Sequence, residues 1–306
     1  MIFKANLFIS DDGRLRAGWR LLLQAVLAVL FLIPFQYAAS LAGGRNLQIL
    51  AGGSAVILSV WTAGLLFDKR PLRAFGLGGG MQWWKEFAVG FLMAFGVMSL
   101  IVLFLYLKGW IVFTGYGWNR LSDSHYLVHL GSYILVMAMV GFYEELWTRG
   151  YQIKNLMEGL LFRNRRIMAA VLAVGISSVF FGLLHYGNPN ATAFGVVVII
   201  LAGIMLAFPF VVTGRLGMSV GIHFSWNLIQ GGLYGLPVSG LRFRQAVFQF
   251  ELAGPEIWTG GSFGPEGGLV GLAGVVLIIG LTVLWLRSCR PKGLDPSLFQ
   301  KPDGTD

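Results

Sequence analysis

Three short polar groupings interrupt the apolar stretches of this 306-residue sequence, and each carries side chains able to move a proton or donate a hydrogen bond. The first is Glu144-Glu145 with Arg149, inside the run Gly141-Phe-Tyr-Glu-Glu-Leu-Trp-Thr-Arg-Gly150. On a helix Glu145 and Arg149 are four apart and can pair on one face, in the favourable acid-before-base order. Adjacent helical residues point about 100° apart, so the spacing predicts that the two carboxylates do not share a pocket. Glu144 is then the carboxylate without a local partner, suited to act as a general base. The second grouping is Phe181-Gly-Leu-Leu-His185, with Ser177 and Ser178 about one turn earlier. The third is His223-Phe-Ser-Trp-Asn227, whose i and i+4 residues again share one side of a helix. Any one of these alone is more often a satisfied hydrogen bond between helices. Together, a glutamate, two histidines and an asparagine on three apolar segments point to one shared site, because ionisable groups inside a membrane are costly and mark function. His125 and His129 lie at the edge of an apolar run and read as interfacial.

The segments that must position these residues are membrane spans. Hydrophobic residues make up 56% of the chain and charged residues 12%, against about 45–50% and about 25% in soluble domains; mean hydropathy is +0.71. Charge-poor runs predict an all-α, polytopic transmembrane bundle of about eight spans, near 18–41, 47–67, 87–107, 127–149, 167–186, 191–213, 216–235 and 268–287. The first run follows a long polar leader and exceeds the length of a signal-peptide core, so it reads as a retained helix. The whole chain, 1–306, reads as a single integral membrane domain with a motif-bearing core at 127–235 and a short cytoplasmic, disordered tail at 288–306.

Charge placement gives an orientation. With both termini inside, the outer segments hold only Arg45, Lys108, Arg120, Arg242 and Arg244 of the 23 lysines and arginines, as the positive-inside rule requires. The net charge of +9 is thereby accounted for by loops. No basic stripe interleaved with aromatics is present, which argues against nucleic-acid binding. The single cysteine, Cys289, excludes an intrachain disulfide and reads as a free thiol beside the last span. Residues 68–86 read as an interfacial connector, 151–166 as an amphipathic extension lying at the surface, and 236–267 as a loop too polar to span. Glycine, at 43 residues, is about twice its usual share and suits close helix packing; the Gly267/Gly271 pair is too common a spacing to carry function. Glu144 precedes, and His185 follows, the turn at 163–166 by similar lengths, so an antiparallel helix pair would bring both to similar depth.

At these residues the chain resembles the CAAX prenyl protease and bacteriocin-processing (self-immunity) family of intramembrane proteases. The family pattern EExxxR is present as Glu144, Glu145 and Arg149, FxxxH as Phe181 and His185, and HxxxN as His223 and Asn227, in order and on separate spans. The resemblance implies an endopeptidase in which Glu144 activates a water that His185 also holds. In that scheme His223 and Asn227 donate to the developing oxyanion, while Glu145, Arg149 and Phe181 support the catalytic residues. It also implies a hydrophobic or lipidated peptide or protein substrate, membrane lipids as surroundings, and a multi-pass location in the cell (inner) membrane. Members are often termed metalloproteases, and a zinc ion would fall to Glu144, His185 and His223. The HExxH helix pattern is absent, and a metal-free, glutamate-activated water is the preferred expectation, with no other cofactor. A non-enzymatic scaffold or bacteriocin self-immunity protein is the alternative. A transporter with a proton relay is a further one, although no internal symmetry of broken helices supports it.

Overall fold

The computed structural model describes residues 7–10, 12–119, 125–243, 245–289 and 293–300. Among these described residues, ten α-helices and one two-stranded sheet follow one another. They are α1 (Ala17–Ala42), α2 (Arg45–Ala63), α3 (Met81–Leu107), β1 (Ile111–Tyr116), α4 (Tyr126–Glu145), α5 (Lys154–Gly159), α6 (Arg166–Leu184), α7 (Ala193–Thr213), α8 (Gly217–Asn227), β2 (Phe248–Leu252), α9 (Glu256–Thr259) and α10 (Leu269–Cys289). Three helices widen into π-helix at their C-terminal ends: α2 over Gly64–Asp68, α4 over Leu146–Ile153 and α8 over Leu228–Leu233.

Among the described residues seven helices are long and apolar enough to cross a membrane; with their π extensions they run over Ala17–Ala42, Arg45–Asp68, Met81–Leu107, Tyr126–Gly159, Arg166–Leu184, Ala193–Thr213 and Leu269–Cys289. The protein is an all-α, multi-pass membrane bundle. The segment expected to be a further full-length span, 216–235, is shorter. It consists of 11 α-helical residues and a six-residue π continuation, about 25 Å of helix against about 30 Å of hydrocarbon. Its position compensates for its length, since every residue of α8 except Phe224 and Asn227 is buried. Polar side chains on α8 are satisfied by neighbouring helices: Ser219 donates to the Leu206 carbonyl and Ser225 to that of Phe91, each at 2.7 Å.

Glycine sets the separation of α8 from its neighbours. A Cβ on Gly221 would sit 2.2 Å from the Phe87 carbonyl oxygen on α3, and one on Gly217 as close to that of Trp83. Gly141 on α4 faces the Phe224 backbone at 3.0 Å. Backbones therefore meet without intervening side chains, the route open to helices that gain no hydrophobic driving force from lipid.

Two expectations for the connecting segments change and a third gains detail. The first part of 151–166 does not lie at the surface: Tyr151, Ile153, Asn155 and Met157 are buried, whereas 162–166 are exposed. Their apolar face packs against Phe75, Ala170, Phe210 and Leu298, so the amphipathic pattern reflects protein contact rather than membrane contact. The tail is also docked over its described part. Asp295 N–H bonds to the Val211 carbonyl at 2.9 Å, Lys154 Nζ to that of Ser297 at 2.6 Å, and Leu298 is buried. Residues 290–292 and 301–306 of that tail, and with them Arg290, Lys292 and Lys301 of the charge count, lie outside the described residues, as do Lys4, Arg120 and Arg244. Finally, 236–267 is indeed not a span, but it contributes β2, which pairs antiparallel with β1 in the register Ile111↔Leu252, Phe113↔Phe250 and Tyr116↔Phe248. The β-branched and aromatic residues of both strands are the local reason for that pairing.

Residues before α1 and after α10 meet at one end of the bundle. Arg14 and Arg20 bond to Glu158 at 3.2 and 2.9 Å, Arg70 bonds to the same carboxylate, and Arg70 also donates to the Gln300 carbonyl.

Candidate functional site

Two of the three α-to-π junctions fall on the chemistry-bearing residues. Glu144 and Glu145 close the α-helical part of α4, and Asn227 closes α8. Widening of this kind, frequent at functional sites, alters the angular spacing of the residues that follow. His185 is the first residue beyond α6, and its ring turns back so that Nδ1 lies 2.8 Å from the Phe181 carbonyl oxygen. A carbonyl oxygen only accepts, so Nδ1 carries the proton and Nε2 is left with a lone pair in the neutral ring.

His223 stands between the two glutamates. Its Nδ1 lies 2.8 Å from Glu145 Oε1, and its Nε2 lies 3.8 Å from Glu144 Oε2. Glu145 Oε1 also accepts from Arg149 Nη1 at 3.0 Å, the pairing their spacing predicts. Arg149 is buried, donates to the Gly203 carbonyl of α7 at 3.3 Å, and lies over the Phe181 ring at 4.1 Å. The Phe181 ring in turn meets those of His185 and His223, with centroids 4.7 and 6.0 Å away. The carboxylates do not share a pocket, as their spacing predicts: Glu144 lines a cavity and Glu145 does not. They do diverge, yet the imidazole reaches both because its two nitrogens lie on opposite sides of the ring. Sequence spacing within one helix carries no information on that bridge from α8.

Both glutamates keep a buried Oε2 without a hydrogen-bond partner among the described residues, and they differ in whether they reach a cavity. Glu145 is fully enclosed, with Arg149 and His223 on one oxygen. Glu144 opens on a cavity of about 290 Å³ that His185, His223 and Asn227 also line. Its Oε1 accepts from Tyr143 at 3.1 Å, while its buried Oε2 has no hydrogen-bond partner among the described residues. The remaining wall is largely apolar, with Met137, Val140, Val198, Ile199 and Met205. A second cavity of about 510 Å³ meets the first at Glu144 and His185 and runs between α1, α2, α4 and α6. Sequence reasoning missed Tyr143, whose only signal was a hydroxyl beside the glutamates. It also missed Glu266, which lines the cavity and bonds to Gln230 and to the Ser239 backbone N–H. An acid in the Gly/Pro-rich loop gave no sign of burial. His125 adjoins the first turn of α4, at Tyr126, and His129 lies within that turn; neither lines the cavity.

The donor set does not fit zinc as arranged. Among the described residues no three His, Cys, Asp or Glu groups are placed to hold a metal ion, although Glu144, His185 and His223 all reach the cavity.

The fold and this enclosed polar site define a multi-pass membrane protein with ionisable groups held between its helices. Residues 126–229, the segment carrying all three motifs, match the family described as Rce1-like, type II CAAX prenyl endopeptidase Rce1-like. That match agrees with the resemblance carried by Glu144–Arg149, Phe181–His185 and His223–Asn227. No curated protein and no solved structure gives a match.

Proposed function

We infer that this protein is an intramembrane endopeptidase of the cell membrane that hydrolyses peptide bonds of hydrophobic or lipidated substrates with a water activated by Glu144. The observation that carries this reading is Glu144 Oε2, buried without a partner at the edge of an apolar cavity and facing His223 Nε2 at 3.8 Å. That separation is too long for a direct hydrogen bond, but a water set to one side of the line joining the atoms can touch both. Glu144 takes a proton from this water as it attacks the peptide carbonyl, and returns it to the leaving amine. His185 Nε2 accepts a hydrogen bond from the water's other O–H, whose hydrogen stays on the attacking oxygen. Asn227 Nδ2 donates to the oxyanion, and His223, when protonated at both nitrogens, donates through Nε2 while Glu145 holds Nδ1. Each such donor is typically worth about 10²–10³ in kcat. The apolar wall suits a hydrophobic chain, and no step needs a metal.

The test uses purified, reconstituted protein with a fluorogenic lipidated peptide and a membrane-peptide library. Wild type, Glu144→Gln and His223→Ala are compared, with and without chelator, after each variant is shown to melt as a folded protein. Cleavage by wild type alone, resistant to chelator, is the expected result. Loss on chelation with rescue by zinc would overturn the metal-free step, and full cleavage by Glu144→Gln would remove Glu144 as the base.

A further inference from the structure

A third cavity, of about 590 Å³ and polar, lies at the end of the bundle where α2, with its π extension, and α7 finish and α3 and α8 begin. Its charged lining is Lys69, Arg70, Arg73, Lys154, Arg215 and the single acid Asp295. Some of this positive charge is already spent. Arg215 grips Glu86 through Nε at 3.0 Å, and Arg70 pairs with Glu158. The rest is not balanced. Lys154 is buried and its ammonium donates to a backbone carbonyl, that of Ser297, at 2.6 Å. Lys69 and Arg73 are exposed, with no side-chain partner among the described residues. Asp295 is the sole acid lining the cavity, and its Oδ1 already accepts from the Ser297 N–H at 2.8 Å; Glu158 and Asp68, both already paired with arginines, act on Lys154 from outside that lining.

A concave site with three cations and one acid is a receptor for an oxyanion, and the presence of guanidinium and ammonium donors favours phosphate. The depth also suits one, because the site lies where the helices end, beside the Trp83–Trp84 pair in the first turn of α3, and such aromatics mark the headgroup level.

We propose that this cavity binds a phosphate group, with Lys69 and Arg73 as its adjustable ligands and Lys154 as its buried floor. The source is either the headgroup of an anionic lipid or a soluble phosphate.

The experiment takes full-length protein, delipidated in neutral detergent, and records thermal unfolding and native mass spectra with three probes: phosphatidylglycerol, phosphatidylcholine and inorganic phosphate. Wild type is compared with Lys69→Ala/Arg73→Ala and with Lys69→Arg/Arg73→Lys, which keeps the charge. Both pairs are exposed, and their unfolding without any probe checks the fold. The expected result is binding of phosphatidylglycerol or inorganic phosphate to wild type, weakened roughly tenfold in the alanine variant and largely restored in the charge-keeping one. Binding of phosphatidylglycerol alone assigns a lipid headgroup, and binding of inorganic phosphate assigns a soluble ligand. Equal binding by the alanine variant, equal binding of phosphatidylcholine, or no binding of either phosphate source would overturn the proposal. None of these readouts depends on proteolysis, so the site stands or falls separately from the proposed activity.

Discussion

Glu145 Oε1 joins three helices at one atom, since it accepts from Arg149 of its own helical run and from His223 of α8, while Arg149 reaches the Gly203 carbonyl of α7. Removing the cation strands a buried carboxylate, a loss typically of about 3–5 kcal/mol. Arg149→Ala should therefore melt well below wild type in detergent and give less folded protein, whereas Arg149→Lys should recover part of the loss, because an ammonium lacks the fork that reaches two partners. An unchanged melting temperature for Arg149→Ala would count against the pairing. Glu266, in the loop ahead of α10, gives a pH signal. Burial pushes its carboxyl up to about 7 from 4.5, against the Gln230 side chain and the Ser239 N–H, which favour the ionised form. An acid raised in the folded protein holds its proton more tightly there than in the unfolded chain. Its contribution to stability is whole below about 4.5 and is lost as pH rises through about 7. Melting temperature should fall over that interval, and Glu266→Gln should flatten the fall; identical slopes in the two proteins would rule out this assignment. The residues of the three motifs were legible because polar side chains are rare in apolar runs. Tyr143 and Glu266 were not, because burial of a loop acid or the aim of one hydroxyl depends on the packing of other elements.

At the scale of elements, the site depends on how closely α8 approaches α3 and α4. Gly221 precedes His223 by two residues, and a Cβ there would meet the Phe87 carbonyl oxygen at 2.2 Å, a backbone atom that no rotamer change can move. Gly221→Val should force α8 from α3, lower the melting temperature by several degrees and reduce cleavage at least tenfold by displacing the imidazole from Glu144. Gly280→Val on α10, where a Cβ meets open space, serves as the control and should leave both unchanged. Equal behaviour of the two variants would show that the close approach does not set the site. The helices themselves were legible from charge-poor runs to within a few residues, except α3, whose start lies earlier because Met81 to Lys85 mix polar and aromatic residues. The π widenings after Glu145 and Asn227 were not legible, since they arise from packing rather than from any local propensity. Nor was the burial of 151–159, because an amphipathic stripe facing protein has the same period as one facing a membrane surface.

For the molecule as a whole, the enclosed ionic cluster at one end ties the segment before α1 to the segment after α10. Glu158 receives Arg14, Arg20 and Arg70, and Asp68 receives Arg20 at 2.7 Å and the Tyr151 hydroxyl at 2.9 Å. The segment before α1 thus shares an end with the segment after α10, where Arg70 donates to the Gln300 carbonyl. An even number of traverses would be needed to bring the segments before α1 and after α10 to one end; among the described residues seven helices are long and apolar enough to cross, and 217–233 would have to be the eighth. The cluster was not visible in the sequence, where the same residues counted only as loop charges, although their bias to one side is what placed both ends together there. Which side of the membrane that end faces follows from the positive-inside rule alone, and Cys289 provides a direct reading of it. It is the single cysteine, exposed at the last residue of α10, at the clustered end. A membrane-impermeant maleimide should leave it unlabelled in intact cells and label it after permeabilisation. In Cys289→Ser/Lys108→Cys, which moves the thiol to the opposite end of α3, intact cells should label at once. The reverse pattern in both proteins would invert the orientation while leaving the fold and the even count intact; labelling of both thiols from one side would contradict the count itself.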